Sequence, residues 1–84
     1  MKNVYSIRDM KAENCPVLFL SLSDGTALRD VRDAVNSSNS NLSRYPADFE
    51  LIRIGIYDDV LGVITPTDHV VICNLDTLVV RNEE

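Results

Sequence analysis

Five side chains in this sequence suit contact with a nucleic acid: Arg29, Arg32, Arg44, Tyr45 and Arg53. A guanidinium offers a rigid fork of donors to a phosphate, and a tyrosine ring offers a face on which an unpaired base can stack. Arg44 and Tyr45 stand together ahead of Pro46, with no acidic residue immediately beside them. Arg29 and Arg32 alternate with Asp30 and Asp33, so these four also read as a solvated helix face, in which Arg29 and Asp33 are spaced for an ion pair worth about 0.2–0.5 kcal/mol.

Other chemistries find less support. Asp58, Asp59, Asp68 and His69 have oxygen and imidazole donors of the kind a divalent metal takes, but adjacent acids in a hairpin loop ordinarily solvate the turn. His69 is the sole histidine, which leaves no spare member for a histidine-based triad, and its place at the opening of a strand suits a structural residue. Cys15 precedes Pro16 with no nucleophile motif around it. Cys73 alternates inward with apolar neighbours and reads as a small core residue. Neither cysteine belongs to a zinc-type cluster. The stretch Ser37–Ser43 contains no glycine and so cannot be a glycine-rich phosphate loop. Gly25 opens a helix, but Asp24 lies where a bound anion would sit. The expectation is a protein with no catalytic residues, no metal and no cofactor.

The chain that must position these residues has 84 of them, read as one domain over residues 1–84. A chain this short buries only about 60–65% of the surface it exposes when unfolded, so the expectation is modest stability, to which a partner or a second copy could add. Thirteen acids against eight Lys and Arg give a net charge of −5. Such a charge repels phosphate at long range, yet screening over about 8 Å lets a small basic patch act locally. The amino-terminal stretch lacks the features of a secretory leader, and the apolar runs are of strand length, so the expectation is a cytoplasmic chain with free thiols and no membrane span.

Alternation over Asn3–Arg8 predicts a strand. Asp9–Asn14 predicts a connection, and the continuous apolar run Val17–Leu20 after Pro16 predicts a central strand covered on both faces, either by a helix and a second layer or by a partner subunit. Ser23-Asp24-Gly25-Thr26 is a helix-start cluster, followed by a stripe of Ala27, Leu28, Val31, Ala34 and Val35. The helix spans about residues 24–36, with Asn36 suited to a left-handed end. A long polar loop covers 37–47. Phe49–Tyr57 predicts a strand whose Ile52, Ile54 and Ile56 meet the core, and Gly55 within it predicts a bulge or a close backbone approach. Asp58–Gly62 reads as a hairpin turn returning through Val63–Thr65. Pro66–Asp68 reads as a break, His69–Asn74 and Thr77–Val80 as a last β segment, and 81–84 as a frayed tail.

Taken in order, Tyr5-Ser6-Ile7-Arg8-Asp9, Lys11-Ala12, Ser23-Asp24, Ala27, Arg29 and Asp33-Ala34-Val35-Asn36 form a series that continues through Tyr45-Pro46, Asp48-Phe49, Leu51, Gly55, Tyr57-Asp58-Asp59 and Gly62. The series resembles the small nonstructural protein of gokushoviruses, the microviruses with circular single-stranded DNA genomes, over residues 5–62. Beyond Gly62 the resemblance fades. Val31 stands where that family commonly has a bulky aromatic.

The resemblance implies a non-enzymatic, DNA-binding bacteriophage protein of the host cytoplasm, acting in DNA replication at the switch to single-strand synthesis or in DNA packaging. Together these readings predict an α+β fold: a small, mostly antiparallel sheet of about four to five strands with one helix on one face. The partners expected are single-stranded DNA, replication or packaging proteins of virus or host, and a second copy in a homodimer. The alternative function is an acidic protein-interaction module that binds a replication or assembly protein without touching DNA.

Overall fold

The computed structural model of the protein describes residues 1–37 and 40–80. Its helix α1 (Asp24–Asn36) begins where the sequence places it, because Ser23 caps it. The Ser23 hydroxyl accepts from the Thr26 amide at 3.2 Å, and the Thr26 hydroxyl accepts from the Ser23 amide at 3.2 Å, a reciprocal capping box that satisfies two otherwise orphaned donors. Ala27, Val31 and Val35 are buried, with Leu28 and Ala34 at the margins of the stripe.

The helix lies on one face of a four-stranded antiparallel sheet made of β1 (Lys2–Asp9), β2 (Asn14–Ser21), β3 (Phe49–Asp58) and β4 (Val63–Asn74), in the spatial order β2-β1-β3-β4. The fold is α+β. The core between helix and sheet consists of Tyr5, Ile7, Ala27, Val31, Val35, Phe49, Leu51 and Leu75. Tyr5 and Phe19, opposite each other on β1 and β2, stack with ring centroids 5.5 Å apart.

Four expectations for the strands are corrected, three of them within the sheet. The run Val17–Leu20 is an edge strand, not a central one: its outer side meets no other strand, and Val17, Leu18 and Leu20 remain exposed. The isoleucines of β3 do not form the helix-facing row. Leu51 and Arg53 pair with Ile7 and Tyr5 and so share the helix side, while Ile52 pairs with Ser6 on the opposite face. The pairing then slips between Val4 and Tyr5, which places Ile54 in a bulge and leaves Ile56 exposed. Both phases of the alternation in β3 are apolar, so the phase is chosen by pairing with β1. Finally, Pro66–Asp68 does not break the chain: β4 runs continuously across it, with its register against β3 shifting between the partners of Arg53 and Gly55.

Gly55 answers to both readings made for it, the bulge and the close approach. A Cβ built there would lie 2.7 Å from the Thr65 carbonyl oxygen. Gly62, at φ +70°, supplies the positive backbone angle of the β3–β4 turn.

The segment expected as strand Thr77–Val80 is instead a 3-10 turn at Leu75–Leu78 followed by extended chain. It is fastened to α1 by Asn36. The Asn36 amide group donates to the Arg32 and Leu78 carbonyls at 2.8 and 3.0 Å, and its oxygen accepts from the Val80 amide at 2.9 Å. Asn36 therefore ends the helix through its side chain, and the Ser37 cap is extended, not left-handed. The frayed tail expected at 81–84 and part of the expected 37–47 loop lie outside the described residues.

Candidate nucleic-acid interface

Arg44 and Tyr45 do not sit in irregular loop. They end a one-turn helix, α2 (Asn41–Arg44), built by a second capping box in which Ser40 and Ser43 repeat the spacing of Ser23 and Thr26. The Ser40 hydroxyl accepts from the Ser43 amide at 3.1 Å, and the Ser43 hydroxyl accepts from the Ser40 amide at 3.3 Å. Leu42 anchors the turn against the main core. The Tyr45 backbone is held on both sides, its N–H donating to Asn41 and its carbonyl accepting from Asp48, each at 3.0 Å. The ring itself is free, with the residue 59% exposed. Arg44 is also exposed, and no ion pair engages it among the described residues.

Arg29 and Arg32 are exposed on α1 and flank a shallow groove with Gly25, Leu28 and Leu78. The expected pair between Arg29 and Asp33 is not formed: the ion pairs among the described residues are Met1–Asp59, Arg8–Glu50 and Arg53–Asp24. Among the described residues neither helix arginine has a carboxylate partner.

Arg53 is engaged within the fold. Its guanidinium donates to the Asp24 carboxylate at 2.7 Å, and the Tyr5 hydroxyl donates to the other oxygen of that carboxylate at 2.6 Å. Asn3 in turn donates to the Tyr5 oxygen at 3.0 Å. The Tyr5 hydrogen bond foremost, and the Arg53 one beside it, hold the Asp24 carboxyl below its ordinary range. Burial foremost, aided by the neighbouring carboxylate, pushes the Tyr5 hydroxyl up. A guanidinium committed to such a charge-assisted pair is not available to a phosphate without losing that bond. Arg53 is tied to the amino end of α1 through Asp24, whereas Leu42, on the turn that carries Arg44, packs beside Asp30, Val31 and Ala34 in the second half of the helix. The five residues thus do not converge. Arg29 and Arg32 form one pair, Arg44 and Tyr45 another, and Arg53 is a structural clamp.

The sequence carried no signal for the clamp, since Tyr5, Asp24 and Arg53 are brought together only by strand register. The turn at Ser40–Ser43 did carry one, the repeated Ser-x-x-Ser/Thr capping spacing.

Several of the residues weighed for other chemistries have structural partners. The Asp58 carboxylate accepts from the amides of Val60 and Leu61 at 3.0 and 3.2 Å, closing the hairpin turn. Asp59 lies 3.9 Å from the amino terminus. Among the described residues no three His, Cys, Asp or Glu side chains come together as metal donors. Cys73 packs against the core, and burial pushes its thiol up, away from nucleophilic thiolate. Cys15 is exposed. Among the described residues no helix is long and apolar enough to cross a membrane.

The family model of the phage ORF5 protein matches residues 2–78. The chain belongs to the phage ORF5 protein family. The match runs through β4 and the turn at Leu75–Leu78, so membership covers the last strand, where the residue-by-residue resemblance had faded. No curated protein and no solved structure matches the chain significantly.

Proposed function

We propose that this phage ORF5 protein is a non-enzymatic accessory factor that binds single-stranded DNA locally, in viral single-strand synthesis or genome packaging in the host cytoplasm. In this reading it corresponds to the small nonstructural protein of gokushoviruses. The observation that carries the reading is the Arg44–Tyr45 pair: an exposed aromatic next to a cation with no carboxylate partner among the described residues, held on a capped turn that fixes its backbone. Arg44 supplies a phosphate contact and Tyr45 a stacking face. Arg29 and Arg32 supply a second small cationic site along α1. Arg53 is left out of the contact set because Asp24 occupies it.

A second reading, a protein-interaction module without DNA, is favoured by the acid excess and by the apolar side chains exposed on the sheet face away from α1. Titration of the purified protein with labelled single-stranded and duplex DNA at two salt concentrations separates the two. The expected result is preference for the single strand, with Tyr45→Ala losing about 1–3 kcal/mol, the usual contribution of a stacked base. Arg53→Ala should leave DNA affinity unchanged while lowering stability. Absence of binding at low salt, or unchanged binding by both Tyr45→Ala and Arg44→Ala, replaces the DNA reading with the interaction module.

A further inference from the structure

The two edges of the sheet are unlike. On β4, Pro66 interrupts the row of donors, and the register against β3 shifts across Thr67, Asp68 and His69. Proline, charge and irregular backbone are the features by which an edge strand avoids pairing with another chain. On β2 the residues from Asn14 to Ser21 include no charge, and past Pro16 the strand is regular, with apolar side chains exposed on both faces. Val17 on the helix side is 42% exposed and Leu18 on the other side 59%.

The face away from α1 shows what a neighbouring strand does to exposure. Leu18, Ser6, Ile52 and Val71 form one row across the four strands. The inner two are each 1% exposed, although no further sheet layer covers them among the described residues, while Leu18 and Val71 at the ends are 59% and 56% exposed. Flanking strands alone therefore suffice to bury an apolar position in this row. Leu18 lacks that neighbour only because β2 is last.

We propose that β2 pairs antiparallel with β2 of a second copy of this chain, about a two-fold axis, joining the two four-stranded sheets into one. A strand pairing antiparallel with itself is self-complementary, as a two-fold interface must be. It would give the outward N–H and C=O groups of β2 partners and cover Leu18 and Leu20 from both sides. Charge argues for the same place. Two chains of net charge −5 repel each other, so contact is least opposed where each surface is neutral, and β2 is an uncharged strand.

The test is sedimentation equilibrium of the full chain from low to high micromolar concentration. The expected mass is twice the 9.4 kDa chain, falling to that of the monomer in Leu18→Lys with an unchanged circular dichroism spectrum. Val71→Lys, on the same face but the opposite edge, should remain a dimer. A monomeric parent overturns the proposal, even if β2 takes up a peptide of another protein. So does equal dissociation by Val71→Lys, which would mean that sheet faces stack. Should Leu18→Lys misfold, amide hydrogen exchange of the parent decides: protection of residues 14–21 that grows with concentration supports strand pairing, and protection independent of concentration overturns it.

Discussion

Single residues in this protein take their roles from the backbone beside them. At Gly55 a side chain of even one carbon would press on the Thr65 carbonyl oxygen at 2.7 Å, and that oxygen belongs to paired backbone which cannot swing away. Gly55→Ala should therefore destabilise by about 1–3 kcal/mol, the usual cost of overpacking, seen as a lower urea midpoint with an unchanged slope. At the Tyr5–Asp24–Arg53 clamp the consequence is a pH dependence. The Asp24 carboxyl titrates lower in the folded chain than in the unfolded one, so its stabilisation is present above the ordinary carboxylate range near about pH 4 and is lost as pH falls through the folded value. Tyr5 titrates higher when folded, so its contribution is present below about pH 10 and is lost as pH rises through the folded value. Urea midpoints should fall on both sides of these limits, and the raised Cys73 thiol adds to the alkaline fall from about pH 9. Asp24→Asn should lower the plateau and flatten the acid limb, and an acid limb identical to the parent's would assign it to other carboxylates.

At the scale of elements, the helix is defined by local signals and held by one stripe. Its capping box and its apolar spacing lie within a single stretch of chain, so sequence alone suffices to place it. Its burial depends on Val31 at the centre of the contact with the sheet, only 4% exposed. Val31→Asp would leave an unpaired charge there, at a cost of several kcal/mol against a total stability of roughly 4–13 kcal/mol for a chain of this length. The variant should lose cooperative unfolding by circular dichroism, and a folded, cooperative Val31→Asp would mean that the helix does not pack through this stripe. Asn36 couples the same helix to the segment after β4, a contact across more than forty residues that no local pattern announces.

For the whole molecule, charge limits how DNA can be held. With a net charge of −5 and Arg53 engaged by Asp24, the arginines of the proposed contact set without an ion pair among the described residues are Arg29, Arg32 and Arg44. Few counterions would be released, so the logarithm of affinity should fall with that of salt at only about −0.7 per phosphate contact, and Arg44→Ala should remove about one such contact. A slope as steep as that of strongly basic proteins would require a cationic surface that this fold lacks among its described residues.

What the sequence determined by itself was whatever depends on neighbours along the chain: the α+β class, the capped helix with its buried stripe, the turn at Gly62, the special backbone at Gly55, and the resemblance to a phage protein family. Tertiary structure decided what depends on strand order and register, because an apolar run reads alike in an inner or an outer strand and a strand with two apolar phases fits either way round. Pairing with β1 turned Leu51, not the isoleucines, toward the helix, and placed Val17–Leu20 on an open edge. The same register carried Arg53 to Asp24 and Tyr5. A cation that looked free for phosphate in one dimension is, in three, already bound.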